Sequence, residues 1–211
     1  TRAVSAVLLD LTMRVIARKV DPVGDTFQNP QAMVPRILSA AQSLAAHTDP
    51  ARLVGLGVAV PGLVGRHGQV VNAPLLGWRN FALQEAPQDA APATWQIDVC
   101  NDAFAFASAE RAADLEPSSL LMVLLAEGVG SAYLDEGRMI SGAHGFAGEL
   151  GHMIVSVRGK SGALETMAGA AGFSAAMRPG WSVAQGVADV LATANTPETL
   201  AALDLWAEAL A

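Results

Sequence analysis

Glu149 and His152 stand three residues apart in the stretch Ala143-His144-Gly145-Phe146-Ala147-Gly148-Glu149-Leu150-Gly151-His152-Met153. On a helical turn that spacing places a carboxylate and an imidazole on one face. On a tight glycine-rich loop, the missing Cβ atoms let a ligand approach the backbone. Glu149 can accept from two adjacent hydroxyls, and His152 can donate, accept or ligate a metal. The plainer reading is a turn with one capping acid and one structural histidine. A second carboxylate, Asp102, follows Asn101 where a strand hands over to a helix. Aspartate is favoured there simply as a helix N-cap. The carboxyl edge of an open α/β sheet is also where such folds bind ligands, and position alone leaves both readings open. A third feature is the turn Gly128-Val129-Gly130, whose backbone N–H groups can hold phosphate.

The elements that must position these residues follow from pattern. Ala3 to Leu11 is a β-rich apolar run with Arg14 to Val20 as its hairpin partner. Pro30 to Ala46 reads as an amphipathic helix with Met33, Ile37, Leu38, Ala41 and Leu44 on its apolar face. Leu53 to Val60 is a nearly continuous apolar strand that stops at Pro61-Gly62, which suggests a buried βα unit with parallel pairing. Gly65 to Gly68 turns between Leu63-Val64 and Val70-Val71, and Asn72 to Trp78 reads as a loop. Trp78 fits a pocket wall or a core equally. Trp95 to Cys100 is a strand, and Ala103 to Asp114 an Ala-rich helix. The break at Glu116-Pro117-Ser118-Ser119 sets a domain boundary, giving lobes 1–116 and 117–211. Leu120 to Leu125 is the next buried strand, followed by Ser131 to Leu134 and Arg138 to Ile140. Met153 to Val157 is a short strand and Arg158 to Gly162 a polar loop. Leu164 to Met177, Ala184 to Ala194 and Pro197 to Leu210 read as helices.

Bulk properties narrow the classes. The 211 residues suffice for one large domain or two small ones. With 52% hydrophobic and 16% charged residues, a sizeable core is available. No long apolar run suits a membrane span. A net charge of −7 argues against this chain gripping nucleic acid by itself. Cys100 is the only cysteine, so neither an internal disulfide nor a cysteine-rich zinc site is available. A cytoplasmic protein is the expectation.

Taken in order, these pieces resemble the ROK family of sugar kinases and sugar-responsive repressors. Gly57-Val58-Ala59-Val60-Pro61-Gly62 looks like its strand-to-turn signature, and Ala73 to Trp78 like its pocket loop. Asn101-Asp102-Ala103 is similar to its catalytic Asn-Asp-Ala. Gly128-Val129-Gly130 resembles its second phosphate loop. Gly148-Glu149-Leu150-Gly151-His152-Met153 is close to its sugar- and zinc-binding motif, and Leu164-Glu165-Thr166 to the sugar-binding Glu that follows. The resemblance implies an α/β, actin/hexokinase-like (ribonuclease H-like) two-lobed fold with a cleft, incomplete at both ends of this sequence. It implies Asn101, Asp102, Glu149, His152 and Glu165 as sugar-binding residues, with Gly128 and Gly130 at phosphate. It also implies a homodimer or higher homo-oligomer.

The departures matter as much. The family's first phosphate loop, Asp-x-Gly-Gly-Thr, belongs just before or at Thr1. The winged helix-turn-helix of its repressor branch belongs further upstream. The family's zinc cluster has no cysteine counterpart: Ala163 stands where its last Cys would be, so no zinc is expected. In the kinase reading, Asp102 is the catalytic base and ATP with Mg²⁺ is required. Glu127 precedes Gly128, however, and a carboxylate beside a triphosphate is unfavourable without a metal. The reading preferred is therefore the sugar-sensing body of a transcriptional regulator, with DNA held by a domain outside this chain and no cofactor. An ATP-dependent kinase for a hexose or N-acetylhexosamine is the alternative.

Overall fold

The structure is a computed structural model of the chain, described here for residues 3–113, 119–170, 172 and 196–210. The chain divides into two compact units. One comprises Thr1–Leu120 with Leu134–Ala147, the other Leu121–Tyr133 with Gly148–Ala211.

The first unit opens with an antiparallel hairpin, β1 (Ala3–Leu9) and β2 (Val15–Pro22). Asp10 shapes its turn. Its Oδ1 accepts from the backbone N–H of Thr12 at 2.8 Å and of Arg14 at 3.0 Å. Helix α1 (Pro30–Ala45) starts where the sequence signals it: Asn29 caps the Ala32 N–H and Pro30 occupies the first turn. Met33, Leu38, Ala40 and Leu44 form its buried side. The next strand, β3 (Gly55–Val60), pairs in parallel with β7 (Gln96–Asn101). It is not buried throughout, as the apolar run suggested. Leu56 and Val58 are half-buried while Gly55, Gly57 and Ala59 face out, so small residues alternate with branched ones.

A three-stranded antiparallel sheet lies between β3 and β7 in sequence: β4 (Leu63–Val64), β5 (Val70–Ala73) and β6 (Trp78–Phe81). This corrects the loop reading of Asn72 to Trp78. Asn72 pairs with Arg79 and Ala73 with Trp78 across a tight turn that ends at Gly77, φ +72°. Trp78 belongs to the core. It is 3% exposed, its indole N–H donates to the Phe27 carbonyl at 2.6 Å, and it meets Phe81 edge-on. Val23, Met33, Val60, Val64, Val70 and Leu83 pack around it. Helix α2 (Asp102–Ala113) follows β7 without a loop.

Strands β8 (Ser119–Leu125), β9 (Val129–Asp135) and β10 (Arg138–Met139) form a sheet in the order β10-β9-β8. The β9–β10 turn is Glu136-Gly137, both with positive φ, as a two-residue hairpin requires. β8 is not a buried strand: Leu121, Val123 and Leu125 are exposed, alternating with half-buried neighbours.

The second unit contains a hairpin of β11 (Ile154–Val157) and β12 (Lys160–Ala163). Arg158 to Gly162 is thus not an open polar loop. Arg158 and Gly159 alone make the turn, at φ +49° and +79°, and the chain re-enters the ladder at Lys160. Helix α3 (Leu164–Ala168) is interrupted at Gly169, which is extended. Ala170 and Gly172 are helical again; the rest of the helix expected to Met177 lies outside the described residues, and so does all of Ala184 to Ala194. Helix α4 (Pro197–Leu210) forms as expected. Val129, Val157, Ala168 and Ala209 form this unit's core, with Leu164 and Met167 against it. Among the described residues no helix is long and apolar enough to cross a membrane.

Candidate functional site

The second unit builds a polar clasp. Gly148 sits at φ +92°, and a Cβ there would lie 2.7 Å from the Ser131 carbonyl oxygen on β9. Only glycine fits both conditions. The chain then makes one 3-10 turn over Leu150–His152, with Glu149 at its start. Ser131, itself buried, accepts the Leu150 N–H on its Oγ at 3.3 Å. A Cβ on Gly151 would collide with the Val129 carbonyl, so the turn lies flush on β9. Glu149 and His152, three positions apart, therefore lie on one face, and their side chains meet: Glu149 Oε2 is 3.6 Å from His152 Nε2.

The other ring nitrogen, Nδ1, faces Glu165 Oε1 at 3.5 Å. Glu165 stands in the first turn of α3, where a carboxylate suits the helix dipole. The β11–β12 hairpin brings it there, since Leu164 N–H donates to the Met153 carbonyl at 2.8 Å and closes the hairpin base. His152 is thus held between two carboxylates. The three side chains are 61%, 40% and 36% exposed for His152, Glu149 and Glu165, open to a solute. Carboxylates accept from more than one donor, and an imidazole can donate or accept. Such a group can grip vicinal hydroxyls.

Glu165 also reaches the glycine turn. Its Oε2 lies 3.0 Å from where a Cβ on Gly128 would stand. That turn is closed by Ala126 N–H to the Gly128 carbonyl at 2.9 Å and tied to the end of α3 by Ala170 N–H to the Ala126 carbonyl at 3.0 Å. Gly128 and Gly130 accordingly belong to the same neighbourhood as the clasp.

The residues present do not fit a closed zinc site. The two carboxylates face opposite nitrogens of one ring and do not converge on a common point. The one cysteine of the sequence, Cys100, belongs to β7 of the first unit. Among the described residues no cluster of three or more His, Cys, Asp and Glu is arranged to hold a metal ion.

In the first unit, Asn101 and Asp102 mark the junction of β7 and α2. Asn101 performs the capping: its Oδ1 accepts the Ala103 N–H at 2.8 Å, while its Nδ2 donates to the Gly62 carbonyl at 3.0 Å. Gly62 is fixed in turn, with no space for a Cβ against Asn72 and Ala73. Asp102 shares the Ala103 N–H at 3.0 Å. Burial raises its carboxyl above the ordinary aspartate value, opposed by the backbone bonds it accepts. Burial also raises the neighbouring Cys100 thiol, with the charges of Asp102 and Asp98 adding to it. No local pattern points to Ser131 or to the Gly62 carbonyl. Both act through a single hydrogen bond that only the fold reveals.

A model of the ROK family matches residues 4–211. The chain belongs to the ROK family. Its relatives include both branches. A glucokinase from Halalkalibacterium halodurans is 31% identical over 138 residues, covering 61% of this chain and 41% of that protein. A xylose repressor from Bacillus subtilis is 27% identical over 111 residues, covering 53% of this chain and 29% of that protein. The chain thus spans less than half the length of these curated relatives. Among solved structures, a ROK family transcriptional regulator described as a homologue of the Escherichia coli MLC protein superposes with a TM-score of 0.78 at 24% identity, covering 98% of this chain and 57% of that one. The ROK chain has the actin/hexokinase-like α/β fold.

Proposed function

We propose that this ROK chain is the sugar-sensing body of a transcriptional regulator. The observation that carries the proposal is the position of Glu165. It contributes one oxygen to the His152 clasp and sets the other beside Gly128. The same side chain that favours a polyol disfavours a phosphate at the glycine turn, where Glu127 adds a second carboxylate in sequence. Two like charges about 4 Å apart repel by about 1 kcal/mol in water and about 4 kcal/mol near a protein surface. The sugar engages Glu149, His152 and Glu165 of the second unit; in the first unit Asn101 and Asp102 are proposed as sugar-binding residues. Binding shifts a conformational equilibrium of the regulator. DNA is contacted by another part of the protein, because this chain carries a net charge of −7.

One observation favours the second reading, an ATP-dependent sugar kinase. Asp102 is a half-buried carboxylate at the carboxyl end of a parallel strand, with its proton affinity raised by burial. Those are the properties of a general base for a sugar hydroxyl. Calorimetry across pentoses, hexoses and N-acetylhexosamines, followed by a coupled ATP assay, separates the two. The regulator reading expects a bound sugar whose affinity falls about 10- to 150-fold in Glu149→Ala, the loss of a charged hydrogen bond, and no turnover. An affinity unchanged in that variant removes the clasp from the site. Turnover with ATP that disappears in Asp102→Asn establishes the kinase.

A further inference from the structure

In the β11–β12 hairpin, Ile154 stands opposite Ala163 and Ser156 opposite Ser161. The bond from Leu164 N–H to the Met153 carbonyl carries the ladder one step past the hairpin base. One step further, His152 meets Glu165 at 3.5 Å. Side chains of a strand alternate between two faces, and directly opposed residues share a face. Three cross-strand pairs therefore stand in a row: His152 with Glu165, Ile154 with Ala163, Ser156 with Ser161. Solvent reaches the whole row. Ile154 is 72% exposed, both serines are exposed and Ala163 is half-buried. The opposite face is the packed one, where Val157 joins the core of the unit. The two serine hydroxyls lie 2.5 Å apart. One O–H is used in that bond, which leaves the other O–H and several lone pairs for a ligand.

The row runs polar, apolar, polar, starting at the clasp. A strand rise of about 3.3 Å per residue sets the Ile154 pair about 7 Å and the serine pair about 13 Å from His152. One ring held by the clasp does not span that length, whereas a second ring joined through a glycosidic oxygen does. A pyranose offers a face of C–H groups and a rim of hydroxyls, which match an exposed isoleucine followed by a hydroxyl pair. The geometry points to a glycosidically linked sugar, a disaccharide or longer glycoside, as the ligand of this site. Its first ring engages the clasp, its second lies over Ile154 and Ala163, and the far hydroxyls of the second ring meet Ser156 and Ser161. This assignment rests on the clasp being a sugar site and adds the class of sugar. Other occupants match the row less well. A phosphate group needs a cation, and the row carries neither lysine nor arginine. Lys160 is paired with Val157 on the opposite face, and Arg158 is engaged by Glu208. One isoleucine and one alanine fall far short of the area that a stable protein interface buries.

Calorimetry with matched sugars tests this. Glucose is compared with maltose and cellobiose, xylose with xylobiose, and N-acetylglucosamine with diacetylchitobiose. For the sugar that binds, a disaccharide is expected to bind about tenfold more tightly, the scale of one or two added hydrogen bonds. That ratio is expected to fall to about one in Ile154→Asp and in the double substitution Ser156→Ala, Ser161→Ala. In the unaltered protein, the δ-methyl resonance of Ile154 is expected to shift with the disaccharide and not with the monosaccharide, a readout that needs no variant to fold. Equal affinities for one ring and two, both lost in Glu149→Ala, overturn the inference and leave the clasp standing. A disaccharide preference that persists in both variants overturns it as well. No binding across the panel, or binding indifferent to Glu149→Ala, overturns the clasp and the inference together.

Discussion

Three glycines allow the packing of the clasp to be tested by one chemical change, glycine to alanine. At Gly57 the backbone is ordinary, and nothing lies within 4 Å of an added Cβ. Gly57→Ala is therefore expected to hold stability or gain about 0.5–1 kcal/mol from reduced freedom of the unfolded chain. At Gly77 the space is equally open, but φ is +72°. Gly77→Ala pays only the left-handed penalty, about 1–2 kcal/mol, less that gain. At Gly148 both conditions fail: φ is +92°, and the Cβ would stand 2.7 Å from the Ser131 carbonyl oxygen and 3.2 Å from its carbon. Those atoms are backbone of β9 and cannot rotate away. Overpacking adds about 1–3 kcal/mol, so Gly148→Ala is expected to lose about 2–4 kcal/mol. For a chain of this length that is a melting temperature lower by about 4–16 °C. Thermal unfolding followed by circular dichroism measures all three. The expected order of destabilisation is Gly148, then Gly77, then Gly57. A Gly148→Ala protein as stable as Gly77→Ala would refute the contact with β9, and with it the reason that Glu149 points where it does.

Asp102 gives a pH signature. Burial raises its folded carboxyl above the ordinary aspartate value, so the folded state holds the proton more tightly than the unfolded chain. The stability from this group is full below the ordinary value and is lost as pH rises through the raised one. Asp102→Asn is expected to gain on the wild type as pH rises above the ordinary aspartate value of about 4, as read by denaturant midpoints; a pH-independent difference contradicts the burial. Trp78→Phe keeps an aromatic ring beside Phe81 but leaves the Phe27 carbonyl without the indole donor. A loss of about 1–3 kcal/mol in urea unfolding is expected, and an unchanged midpoint would show that the bond contributes nothing. Arg158 donates from Nε to Glu208 at 2.8 Å and from Nη2 to the same carboxylate, fastening the β11–β12 turn to α4. Arg158→Met should speed amide exchange in Pro197–Leu210 at low salt, with the difference closing as salt is raised.

Periodicity and punctuation carried most of the architecture. The first hairpin, α1, the strand before Asn101, and α4 all stand where apolar spacing, Pro30 and Pro197 put them. The failures have particular causes. Asn72 to Trp78 carries Pro74 and Gly77, which read as a loop, yet a tight hairpin uses the same residues. The strand through Lys160 has no apolar alternation, and Arg158 gives no sign that it will take a positive φ. The helix from Leu164 is interrupted after Ala168, where Gly169 turns extended with its backbone close against the Glu127 carbonyl, a long-range approach invisible to local pattern. The clasp was legible only in part. The i,i+3 spacing put Glu149 beside His152. The arrival of Glu165 depended on a hairpin that the polar sequence concealed. Asn101 took the capping role considered for Asp102, a choice made by the Gly62 carbonyl and not by residue preference.

The hairpin of β11 and β12 has a practical consequence. His152 and Glu165 flank its base, which is closed by the Met153 carbonyl and the Ile154–Ala163 pair, whereas Arg158 and Gly159 alone form its tip. The register at the base sets the distance between the two side chains, and the length of the tip does not enter. Lengthening a flexible tip costs only about 0.6 kcal/mol per doubling. The tip is therefore a port: a peptide tag or a fluorescent reporter grafted between Arg158 and Gly159 would travel with the clasp without prising it open, turning the clasp into a scaffold for a biosensor.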